Sequence, residues 1–310
     1  MKIFKPKFWN KKNGFYSIIL LPFSYIYLAI ISLKRNISYP KKFRISVVCV
    51  GNIYIGGTGK TPLSIEIANK LILQKKRVTI IKKYYINHKD EHELIREKNG
   101  YLTLGNNRKV ALTNASDKGF DIAILDDGFQ DNSIHKNLNI LCFSAKQLIG
   151  NGMVFPSGPL REKLESLKRA DIIVINGDKE KEFEKKILSI SNEINIFYSK
   201  YIPENIDKFK NKKLLAFAGI ANPENFFNLL SHYNIDVKKS YSFPDHYNFS
   251  KPELEKLFKE AQKNNYGVIT TEKDYHRIKS YGFEDLNYLK LKLVISNEDK
   301  FINLILNSTK

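Results

Sequence analysis

Six consecutive residues, Gly56-Gly57-Thr58-Gly59-Lys60-Thr61, combine what is needed to hold a polyphosphate. Glycines let backbone N–H groups close on phosphate oxygens that a Cβ would keep away. Lys60 can set an ammonium on the β- and γ-phosphates, and Thr61 a hydroxyl on a magnesium ion that bridges them. The usual pattern has glycine at position 54, where this chain has Tyr54, followed by Ile55. The candidate nucleotide-binding segment is therefore Tyr54, Ile55, Gly56, Gly57, Thr58, Gly59, Lys60 and Thr61.

Acids supply the second half of such chemistry. The run Phe120-Asp121-Ile122-Ala123-Ile124-Leu125 reads as an apolar strand that ends in Asp126-Asp127-Gly128-Phe129-Gln130. Downstream of a phosphate loop, this is where an aspartate holds the magnesium shell. Successive strand residues point to opposite faces, so Asp126 and Asp127 are expected to do different work unless the strand has already ended. Asp90 precedes a helix-like segment, Glu93 to Glu97, and on that evidence reads as a helix-terminal acid or as a catalytic carboxylate. His88 and His92 share a helical face, yet no further ligand with zinc spacing accompanies them.

These groups need a frame. The β-branched run Val47 to Val50 ends in the glycine-rich turn and opens into the apolar-periodic segment Leu63 to Leu73, which reads as strand, loop and helix. Arg77 to Ile81 and Ile172 to Ile175 read as further strands. Alternating strands and helices from Ser46 to about Ser199 predict a parallel sheet flanked by helices, its ligand site at the strands' carboxyl ends. The charged run Asp178 to Lys186 reads as a solvated helix face. A polar stretch with Pro203, residues 201–212, is the expected linker, and Leu214 to Phe217 opens a smaller α/β domain. The expected organisation is residues 1–40 as an apolar N-terminal helix with basic flanks, 41–200 as the nucleotide domain, and 213–310 as the smaller domain.

The 310 residues carry a net charge of +19, which favours anionic partners. No aromatic-basic RNA motif or zinc-finger spacing is present, so nucleic acid is disfavoured. Cys49 and Cys142 both lie in apolar strand-like runs, expected to be small buried hydrophobes rather than a disulfide framework. Residues 14–33 carry no charge and are long enough for one bilayer crossing, but Pro22 interrupts them and lysines flank both ends. A helix lying in the membrane interface, its basic ends on anionic headgroups, accounts for that symmetry better than a span. A hydrophobic helix packed on the domain is the other reading.

The motifs resemble, in order, those of the tetraacyldisaccharide 4'-kinase family of lipid A biosynthesis. Gly51-Asn52 stands before the glycine-rich loop, and Asp126-Asp127-Gly128-Phe129-Gln130 follows. Phe155-Pro156-Ser157-Gly158-Pro159-Leu160-Arg161-Glu162 resembles the family's proline-glycine loop. Phe217-Ala218-Gly219-Ile220-Ala221-Asn222-Pro223, Phe243-Pro244-Asp245-His246 and Thr270-Thr271-Glu272-Lys273-Asp274 complete the series. The resemblance implies a P-loop NTPase-like fold with a second, smaller α/β domain and an N-terminal membrane-associated helix. It implies transfer of the γ-phosphate of ATP, with Mg2+, to the 4'-hydroxyl of an acylated glucosamine disaccharide 1-phosphate. The place of action would be the cytoplasmic face of the bacterial inner membrane, as a peripheral or monotopic protein, with no protein partner expected.

Residue by residue, the resemblance implies Lys60, Asp90 and His246 as catalytic, with Asp90 as base and His246 paired to it. Thr61, Asp126, Asp127 and Glu162 would serve the metal. The chain departs from the family at Lys82-Lys83-Tyr84-Tyr85, where Ser-Arg-Gly-Tyr is usual. Lysine keeps the charge there without arginine's bidentate fork. The alternative reading is a membrane-associated P-loop ATPase acting as a positioning switch, although such loops usually carry a lysine near position 55, which here is Ile55.

Overall fold

A computed structural model describes residues 6–12, 14–83, 95–96, 101–245 and 247–310. Asp90, His246 and the neighbours of Asp90 between 84 and 94 lie outside the described residues, as does the expected helix at 93–97 apart from Ile95 and Arg96. The chain forms two units, the second made of residues 85–100 and 201–294 and the first of the rest.

The first unit is built on β1 (Ser46–Gly51), β2 (Val78–Lys83), β3 (Leu102–Gly105), β4 (Ile122–Asp126), β5 (Leu138–Ser144), β6 (Ile172–Asn176) and β7 (Asn195–Pro203). With the late strand β12 (Leu291–Ile295) they make one sheet in the order β12-β7-β6-β5-β1-β4-β2-β3. From β7 to β3 every pairing is parallel. A parallel sheet is covered on both faces, and accordingly β1 and β4 are buried almost without interruption. β1 lies between β4 and β5, so the turn that follows it opens at the middle of the sheet.

Helices flank this turn in sequence, α1 (Phe15–Ile19) and α2 (Leu21–Asn36) before it and α3 (Lys60–Leu73) after it. α3 buries Leu63, Ile67 and Leu71, one every helical turn, and each such side chain withdrawn from water contributes about 1.5–3 kcal/mol. Further on come α4 (Arg108–Asp117) and α5 (Lys181–Ile190). The charged run at 178–186 falls largely on α5, which turns only Phe183 and Ile187 fully inward. Both cysteines are buried, and burial pushes the Cys49 thiol up to about 11, in keeping with inert core residues.

The apolar segment at 14–33 is two helices, broken at Leu20 just ahead of Pro22. Among the described residues no helix is long and apolar enough to cross a membrane. The helices turn serines inward: Ser24 Oγ donates to Ser157 Oγ at 2.8 Å and accepts from Ser157 N, while Asn151 Nδ2 donates to Ser17 Oγ. Tyr27 and Leu28, on the same face as Ser24, pack against the core. Phe15, Tyr16, Ile18, Ile19, Phe23, Tyr25, Ile26, Ile30 and Leu33 remain exposed.

The second unit holds β8 (Leu214–Ala218), α6 (Pro223–His232), β9 (Val237–Ser242), α7 (Lys251–Lys263), β10 (Gly267–Thr271), α8 (Glu272–Ile278) and β11 (Leu286–Leu289). Its parallel sheet runs β11-β10-β8-β9. Alternation along β8 splits its core in two: Leu214, Ala216 and Ala218 face one cluster, Leu215 and Phe217 the other.

Two expected boundaries differ. Residues 201–212 are not a free linker, because β7 continues to Pro203 and Ile206 and Phe209 are buried in the second unit's core. Residues 295–310 belong to the first unit, not to the smaller domain. There α9 (Glu298–Ser308) sets the Phe301 ring 5.1 Å from that of Phe197, and Glu298 pairs with Lys70 at 2.6 Å.

Candidate active site

The loop between β1 and α3 is shaped by its two left-handed glycines, Gly56 at φ 128° and Gly59 at φ 94°, conformations a side chain would strain. Gly59 is the residue before the first turn of α3, so Lys60 and Thr61 stand at that helix's positive end. Asn52 clamps the loop from below, its Nδ2 donating to Gly56 O at 3.2 Å and to Thr58 Oγ1 at 3.0 Å. Gln130 Nε2 in turn donates to Asn52 O.

The proline-glycine segment braces the other side. Ile55 N donates to Pro159 O, and Arg161 N to Ile53 O, bracketing an antiparallel bridge between Tyr54 and Leu160. Tyr54 is 1% exposed and packs in the core, which explains how the loop tolerates an aromatic where glycine is usual. The Tyr54 side chain therefore belongs to the scaffold.

The two aspartates diverge, though not by strand alternation, because β4 ends at Asp126. Asp126 closes β4 at 1% exposure, and its Oδ2 accepts from Thr61 Oγ1 and Lys82 Nζ, both at 2.8 Å. Breaking a pair this buried costs about 3–5 kcal/mol. Asp127 lies past the strand with φ 60°, its carboxylate 3.5 Å from Lys60 Nζ and 2.9 Å from Arg161 Nη1. Its carbonyl accepts from Arg108 Nη2 at 2.8 Å. Partial burial pushes the Asp127 carboxyl up, but Lys60, Arg161 and Arg108 outweigh it and hold the group below the ordinary carboxylate value.

Of the four expected metal residues, Thr61 and Asp126 come together. The second oxygen of Asp126, Oδ1, is buried without a hydrogen-bond partner, and an orphaned carboxylate oxygen beside a loop threonine fits a hard cation such as Mg2+. Among the described residues no cluster of three or more His, Cys, Asp or Glu side chains could hold a metal. Two protein oxygens completed by phosphates is the usual way magnesium is held beside a nucleotide. Asp127 is engaged by Lys60 and Arg161. Glu162 is engaged elsewhere too: Oε1 accepts from Gln130 Nε2 at 3.1 Å and Oε2 pairs with Arg169. The Arg169 guanidinium stacks on Phe129 at 4.3 Å and donates to Asn132, so Glu162 anchors the turn that carries the acidic pair.

Arg108, Arg161, Gln130 and Lys82 carry roles that sequence reasoning did not assign. Arg161 and Gln130 lie inside quoted motifs, which was a usable signal. Arg108 sits at the start of α4 in no motif and becomes visible only once β3 and β4 share a sheet. In the second unit, the blocks at 217–223 and 270–274 are one fastening. Asp274, fully buried, accepts from Gly219 N, Thr271 Oγ1 and Arg277 Nη1.

Residues 16–310 match the family described as tetraacyldisaccharide-1-P 4'-kinase, LpxK. The chain is 42% identical to the tetraacyldisaccharide 4'-kinase of Pelagibacter ubique, over 99% of this chain and 98% of that one. To the enzyme of the same name from Rickettsia bellii it is 33% identical, over 96% of each. A crystal structure of the "apo" form of LpxK from Aquifex aeolicus in complex with ATP superposes with a TM-score of 0.72 at 27% identity, covering 95% of this chain and 99% of that one. With a phosphate loop, an acidic pair and a bracing proline-glycine segment meeting at the middle of one parallel sheet, the chain belongs to the tetraacyldisaccharide-1-P 4'-kinase family.

Proposed function

We propose that the protein transfers the γ-phosphoryl group of ATP to the 4'-hydroxyl of tetraacyldisaccharide 1-phosphate, working at an anionic membrane surface. The observation that carries this reading is the meeting of Lys60, Thr61, Asp126 and Asp127 at the carboxyl ends of β1 and β4, in a chain of this family. The loop amides and the end of α3 hold the phosphates, and Lys60 exchanges its contact with Asp127 for the γ-phosphate. Thr61 and Asp126 would hold Mg2+, whose contribution is to neutralise charge on the phosphates.

The sugar O4' attacks the γ-phosphorus and the bond to the β-phosphate oxygen breaks, leaving ADP. The hydroxyl proton passes to a carboxylate, assigned by the resemblance to Asp90 with His246 beside it. Most of the acceleration comes from charge stabilisation by Lys60 and the metal rather than from the base.

An exposed apolar face on α1 and α2, followed by Lys34, Arg35, Lys41 and Lys42, supports docking onto a lipid surface rather than crossing it. The net charge of +19 favours the same anionic surface and an anionic lipid substrate. A peripheral position on the cytoplasmic face of the inner membrane places the nucleotide loop where ATP is.

The test is transfer of radiolabelled γ-phosphate from ATP to the purified disaccharide 1-phosphate in detergent, with Lys60→Ala beside the native chain. Label in a bis-phosphorylated glycolipid, lost in the variant, is the expected result. ATP hydrolysis that needs no glycolipid and rises with vesicles would instead favour a positioning ATPase.

A further inference from the structure

Asp126 and Thr61 already carry a cation. β2 lies beside β4 in parallel register, Ile81 opposite Leu125, which brings Lys82 next to Asp126 at the sheet's carboxyl edge. The Lys82 ammonium is 2.8 Å from Asp126 Oδ2 and 3.3 Å from Thr61 Oγ1, and the residue is only 8% exposed. These are the two residues that the proposed function gives to magnesium, Asp126 keeping its Oδ1 unpartnered while its Oδ2 holds Lys82. The loop lysine, Lys60, is on the other aspartate.

We infer that Lys82 is a resident counter-ion of the metal-binding pair, which makes divalent-cation binding conditional on the nucleotide. Among the described residues Asp126 is the buried carboxylate that the Lys82 ammonium and a divalent ion would share, and it cannot neutralise both together, so metal alone is refused. When ATP arrives, its β- and γ-phosphates supply the missing negative charge, and the metal and Lys82 are both accommodated. Lys82 then stands as a second ammonium beside Lys60 on the transferring end of the nucleotide. Metal and nucleotide are thereby coupled, each raising the affinity for the other by the same factor. This inference rests on Thr61 and Asp126 being the metal-binding pair, and its test separates the two.

The experiment uses the full chain in detergent, titrated with Mn2+ and followed by the electron paramagnetic resonance of the free ion, with and without a non-hydrolysable ATP analogue. Lys82→Met and Lys82→Gln are measured beside the native chain, each with and without Asp126→Asn. Without nucleotide, both Lys82 variants should bind Mn2+ at least about tenfold more tightly than the native chain. Mn2+ should also raise their melting temperature where it leaves the native one unmoved. With the analogue the order should reverse, the variants binding the metal–nucleotide pair more weakly. A merely structural lysine would weaken both states. Equal Mn2+ affinity of the native chain and both variants without nucleotide overturns the counter-ion role while leaving the kinase reading intact. Tight binding in the Lys82 variants that survives Asp126→Asn places the metal elsewhere and overturns the metal-pair assignment itself.

Discussion

Helices α2 and α3 are close in length, 16 and 14 residues, and both are rich in leucine and isoleucine, yet they wear these side chains on opposite sides. α3 turns Leu63, Ile67 and Leu71 into the sheet, whereas in α2 the fully buried residue is Ser24, and Phe23, Tyr25, Ile26, Ile30 and Leu33 face out while Tyr27 and Leu28 are only partly buried. Apolar content does not decide where a helix side points; what the protein offers opposite it does. The sheet offers α3 a close-packed apolar surface. The proline-glycine segment offers α2 the Val154 carbonyl and the Ser157 hydroxyl and amide, which only a small polar residue can meet at that distance. In the proposed function α3 serves the nucleotide and α2 the lipid, and the two faces belong to two different solvents.

That contrast can be broken at its nucleotide end first. Lys60→Ala, at the start of α3, should lower phosphate transfer by about 10²–10³-fold, measured with labelled ATP, while co-sedimentation with anionic vesicles stays unchanged. A parallel fall in vesicle binding would mean that the two helices do not act separately. Next is the inward face of α2: Ser24→Val strands the Ser157 amide and hydroxyl in a buried place and should cost about 1–3 kcal/mol, read from the denaturant midpoint. No loss of stability would show that these contacts do not hold α2 down. The outward face should answer in the opposite way. Joint Phe23→Ser, Ile26→Ser and Ile30→Ser should weaken vesicle binding about tenfold or more while moving the denaturant midpoint little, since exposed sites rarely shift stability by more than about 0.5 kcal/mol each. Unchanged vesicle binding would place the membrane contact elsewhere.

The smallest effect is one of pH. The folded pKa of Asp127 is held below its unfolded value, so its contribution is complete above the ordinary carboxylate range, near about 4, and is lost as pH falls through the lowered value. Arg161→Gln should raise that folded pKa and move the acid-unfolding midpoint to higher pH. With its side chain 38% exposed, Asp127 contributes less than about 1 kcal/mol. An acid limb that does not move would mean that Lys60 alone sets the charge of Asp127.

Much of the first unit was legible because its signals are local. A β-branched run, a glycine-rich turn and an apolar-periodic helix follow one another without interruption, and the structure realises them as β1, the loop and α3. Thr61 and Asp126 were legible as candidates for the same reason, each standing at the end of its own readable element, whereas their hydrogen bond was not. What stayed hidden depends on neighbours far apart in the chain. Lys82 meets Asp126 because β2 and β4 are adjacent, an order that strand patterns do not carry. Glu162, assigned to the metal from its motif, lies between Gln130 and Arg169, and no spacing announces that. The inside-out character of α2 left a faint trace: Ser17 and Ser24 are two helical turns apart and so share a face. An interval of that kind within an otherwise apolar stretch marks the side the protein keeps.

The return of the chain to the first unit sets an order of events during synthesis. β7, at the far side of the nucleotide sheet, presents Phe197 to a ring that belongs to α9, and Lys70 of α3 waits for Glu298 from the same helix. Between Phe197 and α9 lie residues 201–294 of the second unit, which must be translated before either contact can form. A ribosome therefore releases the phosphate loop well before the helix that completes its scaffold, and the Phe197 ring is without the Phe301 ring for as long as the second unit takes to emerge.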